Sequence, residues 1–231
     1  MREAYAEAER QIASALRDGG KVLDCGANAG GMFERFAAAA GLTRDRYFGV
    51  EWDAETAARG RGRGLQIECA DLNRGIPHEA GTFDCVFALS VLEHLLNGCR
   101  FLGECHRVLR PGGRLVLLTP NISTYFTAAL ILLGKMPSSG PHPDSDALVK
   151  REEPFKVSSE ALQPDTERDT PVHRHLVVFS FRVLRDYLGM LGFREVRGRG
   201  FGLYPFPNFM QPLLERLDPY HCHQMVFVAR K

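Results

Sequence analysis

The stretch Val22-Leu23-Asp24-Cys25-Gly26-Ala27-Asn28-Ala29-Gly30-Gly31 joins a short apolar run to a glycine-rich turn. Glycine lets a backbone turn sharply, and it lets a ligand approach without a Cβ atom in the way. A helix that follows such a turn offers its first N–H groups and a partial positive charge to an anionic ligand group. The stretch therefore predicts a strand, a turn and a helix arranged around a nucleotide. A tight turn that binds no ligand is the alternative.

Outward from this stretch, further apolar runs alternate with helix-like segments. The runs are densely apolar, as in strands of a parallel sheet that is covered on both faces. This alternation favours an α/β fold, namely a Rossmann-like, doubly wound, mostly parallel seven-stranded sheet with helices on both faces. We predict strands at Val22–Cys25, Tyr47–Trp52, Leu65–Cys69, Phe83–Leu89, Leu115–Thr119, Arg194–Arg199 and Gln224–Ala229.

Two helices have clear ends in the sequence. One lies before the fifth strand, and Pro111-Gly112-Gly113 is expected to end it and to turn the chain into that strand. The other is expected to begin after Ser180, because serine is favoured at helix N-caps, and to end at Gly192.

The segment 134–175 has the least regular pattern. From Gly134 to Val172 it is rich in Pro, Ser, Asp and Glu and shows little periodicity. A stretch of this length without regular structure is uncommon unless it is a lid, a binding loop or disordered. We predict a lid or substrate-binding insertion over 134–175, within one domain that spans 1–231.

Composition limits the partners of the chain. Its 29 basic and 28 acidic residues leave a formal charge of +1, whereas nucleic-acid binders usually carry a basic excess. Six cysteines form no CxxC pair, which suits a reducing cytosol. No apolar stretch approaches the roughly 20 residues of a membrane span, and no signal peptide is visible. We therefore expect a cytoplasmic protein without nucleic-acid or membrane partners.

Two kinds of ligand that contain a nucleoside can bind beside a strand, glycine turn and helix of this type: a dinucleotide and S-adenosylmethionine. A dinucleotide requires glycine at the place of Asn28, where its pyrophosphate nears the backbone. Asp24 at the entry to the turn would also repel a pyrophosphate. S-adenosylmethionine carries a positive sulfonium and ammonium and no phosphate, so Asp24 favours this ligand.

Two later strands are also followed by carboxylates. Glu51 comes about 20 residues after the glycine turn, where a carboxylate can accept hydrogen bonds from both ribose hydroxyls. Asp71 can accept a hydrogen bond from an adenine amino group, while the backbone of Leu72 contacts the edge of the adenine ring. The alternative role of Asp71 is to cap a helix or a turn. Trp52, the only tryptophan, is expected either against the adenine or in the core.

Five segments in order resemble the class I S-adenosylmethionine-dependent methyltransferases: VLDCGANAGG (22–31), GVEWD (49–53), CADL (69–72), FDCVFALSVLEHL (83–95) and LGECHRVLRPGGRLVLLTPN (102–121). The later segment HLVVFS (175–180) resembles the small-molecule branch of this family, which includes quinone-type, sugar and natural-product methyltransferases. The resemblance implies an enzyme with S-adenosyl-L-methionine as its cofactor.

The resemblance also implies roles for single residues. Ser90, after the fourth strand, would border the methyl-transfer chamber. Asn28 stands where the family often has glycine, and Glu51 stands where the family more often has aspartate. The cofactor-binding residues that the resemblance implies are Asp24, Gly26, Ala27, Asn28, Gly30, Glu51, Trp52, Asp71, Leu72 and Ser90.

Histidines are the candidates for a general base, because imidazole titrates near neutral pH. The catalytic candidates are His94, which follows Glu93 after the fourth strand, and His175, at the end of the predicted lid; a structural role is the alternative for both. A metal site built from His173, His175 and 221–223 lacks carboxylate or thiolate partners at an established spacing. The sequence therefore predicts no metal site.

The aromatic segment 201–209 is the candidate for an apolar substrate pocket. Tyr204, Phe206 and His173 are the substrate-binding candidates. A homodimer contact and packing at the edge of the core are the alternatives.

The function that these patterns favour is methyl transfer to oxygen or nitrogen of a small molecule by in-line displacement. A nucleic-acid or protein methyltransferase is the alternative, and an NAD-type oxidoreductase or a non-catalytic cofactor-binding protein is less favoured. Nucleic-acid methyltransferases often carry an Asn/Asp-Pro-Pro-Tyr-like tetrad after the fourth strand, where this chain has Ala88-Leu89-Ser90-Val91.

Overall fold

One seven-stranded sheet organises the computed structural model, which describes residues 2–17, 19–137, 139–141 and 174–231. The strands are β1 Val22–Cys25, β2 Tyr47–Glu51, β3 Gln66–Cys69, β4 Phe83–Leu89, β5 Leu109–Pro120, β6 Arg194–Phe201 and β7 Gln224–Arg230. They lie in the order β3-β2-β1-β4-β5-β7-β6. β1 to β5 pair in parallel, and β7 is antiparallel to both of its neighbours. The predicted mostly parallel seven-stranded α/β sheet is confirmed.

Helices cover both faces of this sheet, as predicted. They are α1 Arg2–Leu16, α2 Gly31–Ala40, α3 Ala54–Gly62, α4 Gly98–Val108, α5 Tyr125–Leu132, α6 Phe181–Met190 and α7 Gln211–Leu217. Successive side chains of a strand point to opposite faces. Leu23 of β1 accordingly packs in one core cluster with Phe101 of α4, while Val22 packs in the other with Phe36 of α2.

Helix α1 packs its apolar face against the sheet beside β4 and β5. Its four fully buried positions, Ala4, Ala8, Ile12 and Leu16, repeat every four residues along one face of the helix. Arg114 of β5 donates a hydrogen bond of 2.9 Å to the carbonyl oxygen of Gln11. The N-terminal half of α1 is thereby positioned over the carboxyl end of the central strands.

Strand β5 begins at Leu109, six residues before the predicted start at Leu115. The prediction that Pro111-Gly112-Gly113 separates the preceding helix from the strand is therefore wrong. Gly112 has a φ of 78°, which bends the chain without ending the strand. The backbone N–H of Gly112 donates to the carbonyl of Lys231, and the N–H of Lys231 donates to the carbonyl of Gly113. These bonds to the end of the chain keep the segment in the sheet.

Helix α6 begins where the sequence predicts, because the hydroxyl of Ser180 accepts a hydrogen bond from the N–H of Val183. No helix in the described ranges is long and apolar enough to span a bilayer. Of the predicted lid over 134–175, the described residues are 134–137, 139–141, 174 and 175; the remainder, with His173, lies outside the described residues.

Candidate active site

The candidate site lies at the carboxyl edge of the sheet, between β1 and β4. The chain order of the strands reverses at this point, since β2 and β3 follow on one side and β4 and β5 on the other. In open α/β sheets, ligands bind in the crevice at such a switch point. The residues that follow β1, β2 and β4 meet there.

The turn after β1 is held against β2 by its backbone. The N–H groups of Gly26 and Ala27 donate hydrogen bonds of 2.9 and 3.0 Å to the carbonyl of Val50. Gly26 has a φ of 82°, and a Cβ atom there would lie 2.5 Å from Cγ2 of Val91. Both the dihedral angle and the space require glycine at this position. The backbone of the turn therefore packs closely against the side chain of Val91.

Glu51 ends β2 with its carboxylate directed at this turn. Its Oε2 accepts a hydrogen bond of 2.9 Å from the N–H of Asn28, and its Oε1 accepts one of 3.1 Å from the N–H of Asp53. Asn28 has a φ of 50°, and its side-chain oxygen accepts a hydrogen bond from the N–H of Ala29. Gly30, with a φ of 81°, leads into α2. Two backbone amides thus fix the orientation of the Glu51 carboxylate.

Asp24 is a buried carboxyl group at the floor of the crevice, with 3% of its surface exposed. The hydroxyl of Tyr47 donates a hydrogen bond of 2.6 Å to it. Burial raises the pKa of Asp24 to about 7; the hydrogen bond from Tyr47 opposes this shift, and the nearby charge of Glu51 adds to it. A cationic ligand group beside Asp24 would favour the ionised carboxylate.

The residues after β2 and β3 lie along the same edge. The Trp52 side chain is 52% exposed, so the alternative that it packs in the core is wrong. The Asp71 side chain accepts hydrogen bonds from the backbone and the side-chain amide of Asn73, as a turn cap does. The side chain of Leu72 is buried in the core, and its backbone follows Asp71 in the same turn.

Ser90 follows β4 in an unusual backbone conformation with a φ of 56°. Its hydroxyl lies 2.9 Å from the hydroxyl of Tyr5 on α1. We did not predict Tyr5 as a site residue, since nothing in the sequence of α1 distinguishes it from other half-buried positions. Its place at the site depends on how α1 packs across the sheet.

A second polar cluster lies next to Ser90, formed by the turn Leu92–His94 and the end of the predicted lid. Glu93 is 2% exposed, and its Oε2 accepts a hydrogen bond of 2.9 Å from the hydroxyl of Thr119. Burial raises the pKa of Glu93 to about 7. The rings of His94 and His175 meet edge to face with centroids 5.4 Å apart. The structure thus brings together the two predicted catalytic histidines, and it adds Glu93, which sequence reasoning did not select.

The aromatic segment approaches this cluster through a chain of polar contacts. His175 Nδ1 lies 3.3 Å from the carbonyl of Ser139, and Ser139 Oγ lies 3.2 Å from His223 Nδ1. The ring of Tyr204 lies 6.1 Å from that of His223. Tyr204 and Phe206 are 44% and 38% exposed, which leaves both rings able to contact a ligand.

Comparison with known proteins gives a consistent picture. Residues 23–117 match the family model of the methyltransferase domain. A Mycolicibacterium smegmatis protein described as a probable S-adenosylmethionine-dependent methyltransferase is 36% identical over 81 residues, which are 35% of this chain and 32% of that protein. A ubiquinone biosynthesis O-methyltransferase of Caulobacter is 32% identical over 45% of this chain and 42% of its own length. A ubiquinone/menaquinone biosynthesis C-methyltransferase of Hahella chejuensis is 30% identical over 53% of this chain and 56% of its own length.

This chain therefore spans between 32% and 56% of the length of these relatives. Among solved structures, phosphoethanolamine N-methyltransferase 2 of Haemonchus contortus, in complex with S-adenosyl-L-methionine, superposes with a TM-score of 0.59 at 14% identity. The superposition covers 96% of this chain and 52% of that one. At this identity the likeness concerns the fold alone.

Proposed function

This chain belongs to the class I S-adenosylmethionine-dependent methyltransferases, and we propose that it transfers a methyl group from S-adenosylmethionine to an oxygen or nitrogen of a small molecule. The observation that carries the proposal is the pair of buried carboxyl groups, Asp24 and Glu51, beside the glycine turn after β1. Such a crevice suits a cationic nucleoside and disfavours a pyrophosphate.

The residues of the crevice fit this cofactor by their chemistry. The glycine turn lets the methionine part approach its backbone, and the Asp24 carboxylate offers its negative charge to the ammonium group. The Glu51 carboxylate, already oriented by two amides, can accept from the ribose hydroxyls. The exposed indole of Trp52 offers a stacking face to the adenine, with the Asp71 turn at the ring edge. Ala27, Asn28, Gly30, Leu72 and Ser90 complete the proposed cofactor-binding set.

When bound, the cofactor supplies a methyl group on a positively charged sulfur, and this group passes to the acceptor by in-line displacement while the electrons of the S–C bond go to the sulfur. The protein then has two tasks. Holding the acceptor in line is worth about 7–11 kcal/mol of effective proximity. Removing the acceptor's proton adds roughly 10²–10⁴-fold where the acceptor must lose one.

His94 and His175 are the proposed proton acceptors. Both lie at the carboxyl edge beside Ser90, next to the place where the acceptor must meet the methyl group. The contact of His175 Nδ1 with the carbonyl of Ser139 orients this ring and leaves Nε2 as the nitrogen that would accept the proton.

We propose that the acceptor carries a ring or another apolar part. Tyr204 and Phe206 offer exposed aromatic surface, the ring of Tyr204 lies near His223, and His173 belongs to the same proposed substrate set. The O-methyltransferase of ubiquinone biosynthesis among the relatives agrees with a ring-bearing acceptor. The near-neutral charge of the chain supports a small-molecule acceptor over a nucleic acid.

Isothermal calorimetry with S-adenosylmethionine, S-adenosylhomocysteine and NAD tests the proposal. We expect one site per chain for the first two ligands and no saturable binding of NAD. Release of S-adenosylhomocysteine in the presence of phenols, catechols and amines then identifies the acceptor atom. Saturable binding of NAD alone would overturn the proposal.

A further inference from the structure

Three residues with metal-binding side chains converge beside the proposed methyl-transfer chamber. Glu93, His94 and His175 each offer one ligand atom, and these atoms lie within 4.8 Å of one another. Ligand atoms on a four-coordinate zinc ion, at bond lengths of about 2.0–2.2 Å, are separated by roughly 3.4 Å. Small side-chain rotations would therefore close this cluster around one ion.

The two imidazoles are oriented as metal-binding histidines usually are. Nδ1 of His94 lies 2.9 Å from the carbonyl of Arg174, and Nδ1 of His175 lies 3.3 Å from the carbonyl of Ser139. Because a carbonyl oxygen only accepts, each Nδ1 must carry the hydrogen, and in the neutral ring the lone pair is then on Nε2. A hydrogen bond from the second ring nitrogen to a backbone carbonyl is the arrangement that orients a histidine ligand.

The carboxylate of the cluster is oriented and buried. Thr119 donates its hydroxyl to Oε2 of Glu93, whose surface is 2% exposed. In the part of the chain that the structure describes, no lysine or arginine forms an ion pair with Glu93. A buried carboxylate is stabilised by a cation, and a metal ion bound by the two histidines would supply that charge.

Backbone hydrogen bonds hold the two parts of the cluster together, although 80 residues separate them in the chain. The N–H groups of Leu176 and Val177 donate to the carbonyl of Glu93 at 2.7 and 3.4 Å. Together with the contact from His94 to Arg174, these bonds fix His175 beside the Leu92–His94 turn. The convergence therefore belongs to the folded backbone and does not depend on flexible surface side chains.

We infer that Glu93, His94 and His175 form a binding site for one divalent transition-metal ion. Two imidazole nitrogens and one carboxylate oxygen favour Zn²⁺, Co²⁺, Mn²⁺ or Fe²⁺ over Mg²⁺ and Ca²⁺. Three protein ligands leave at least one coordination position for water or another oxygen ligand. The sequence did not predict this site, because adjacent Glu93 and His94 have no established ligand spacing and the third ligand comes from a distant segment.

The inferred site does not depend on the proposed methyl transfer, but it affects how that reaction would run. A histidine nitrogen that binds a metal does not accept a proton. A hydroxyl bound to the metal would instead lose its proton more readily, since a bound divalent cation lowers the pKa of its oxygen ligand. The metal-loaded and metal-free chains would therefore differ in the pH dependence of methyl transfer.

The test is a titration of the 231-residue chain, first treated with EDTA. Binding of Co²⁺ is followed by visible absorption, and binding of Zn²⁺ is followed by calorimetry. We expect one ion per chain with a Kd in the micromolar range or below, and no competition from millimolar Mg²⁺. His94→Gln and His175→Gln should each weaken Zn²⁺ binding by at least 30-fold, and Glu93→Gln should weaken it to a similar degree.

His106→Gln is the matched control, because His106 on α4 lies outside the cluster and packs against Phe193. It should bind Zn²⁺ as the wild type does. Circular dichroism and binding of S-adenosylhomocysteine verify the fold of each variant without reference to the metal. Binding weaker than 1 mM, or wild-type affinity in both His94→Gln and His175→Gln, would overturn the inference.

Discussion

The hydroxyl of Tyr47 on β2 donates a hydrogen bond of 2.6 Å to Oδ2 of Asp24 on β1. Tyr47 lies opposite Val22 in the parallel pairing, and Asp24 is two residues beyond Val22, so its side chain points to the same face of the sheet. Both side chains are buried, and burial raises the pKa of Asp24 to about 7. The floor of the proposed cofactor site therefore carries a carboxyl group whose charge changes near neutral pH.

The affinity for S-adenosylmethionine should fall as the pH drops from 7 to 5.5. The cofactor's ammonium group is attracted to ionised Asp24, and protonation below about pH 7 removes that charge. The loss approaches tenfold per pH unit. Calorimetry across this range measures it. Asp24→Asn should bind more weakly than the wild type and with little pH dependence; an equal slope in both proteins would show that another group is responsible.

The stability of the ligand-free chain should change in the opposite direction. The folded pKa of Asp24 lies above its ordinary value of 3.8, so its contribution to stability is complete below that value and is lost as the pH rises through about 7. The free energy of unfolding of the wild type should therefore fall relative to that of Asp24→Asn between pH 5.5 and 8. Urea unfolding of both proteins measures the difference, and a constant difference would contradict the shift.

Glu51→Ala should weaken cofactor binding by roughly 100-fold, because it removes charged hydrogen-bond acceptors and frees the turn at Asn28. The matched control is Glu55→Ala on α3, where the exposed carboxylate pairs only with Arg59 among the described residues. The control should bind normally in the same calorimetric titration. Near-normal affinity of Glu51→Ala would show that the ribose assignment is mistaken.

Gly26→Ala should destabilise the chain by about 2–4 kcal/mol, because the new methyl group meets Val91 and the backbone keeps a positive φ. Gly41→Ala separates the two causes. Gly41 has a φ of 63° with open space around it, so only the dihedral cost of about 1–2 kcal/mol applies. Adding Val91→Ala to Gly26→Ala should recover part of the loss. Denaturant unfolding of the wild type and the three variants measures the free energies of unfolding. Equal losses of stability in Gly26→Ala and Gly41→Ala would contradict the predicted clash with Val91.

The sequence predicted the strands, a mostly parallel sheet and the glycine turn, because each has a local pattern. Carboxylates at the carboxyl ends of neighbouring parallel strands must share one edge, so Asp24 and Glu51 could also be placed together in advance. The start of β5 could not be predicted from the sequence, because it depends on hydrogen bonds to Lys231 at the end of the chain.

The contacts that sequence reasoning missed join segments that are far apart. Tyr5 meets Ser90 only because α1 crosses the sheet at a particular angle. Glu93 lies close to His175 only because the backbone N–H of Leu176 donates a hydrogen bond to the carbonyl of Glu93 in the Leu92–His94 turn. Such contacts depend on the packing of whole elements, and no residue spacing in the sequence encodes them.

Trp52 allows a direct optical test of the proposed adenine position, since it is the only tryptophan and its side chain is 52% exposed. Binding of S-adenosylhomocysteine should quench its fluorescence, because a stacked adenine replaces water on the indole face. Stacking of a base on an aromatic side chain is worth about 1–3 kcal/mol. Trp52→Ala should therefore weaken binding by roughly 5- to 150-fold, and Trp52→Phe should weaken it less.

Methionine alone serves as the control ligand, because it can occupy the Asp24 end of the crevice without reaching Trp52. It should leave the emission unchanged, whereas adenosine should quench it. Calorimetric binding of S-adenosylhomocysteine with no change in emission, together with normal affinity of Trp52→Ala, would place the adenine away from Trp52. The adenine would then have to contact the Asp71 turn without the indole.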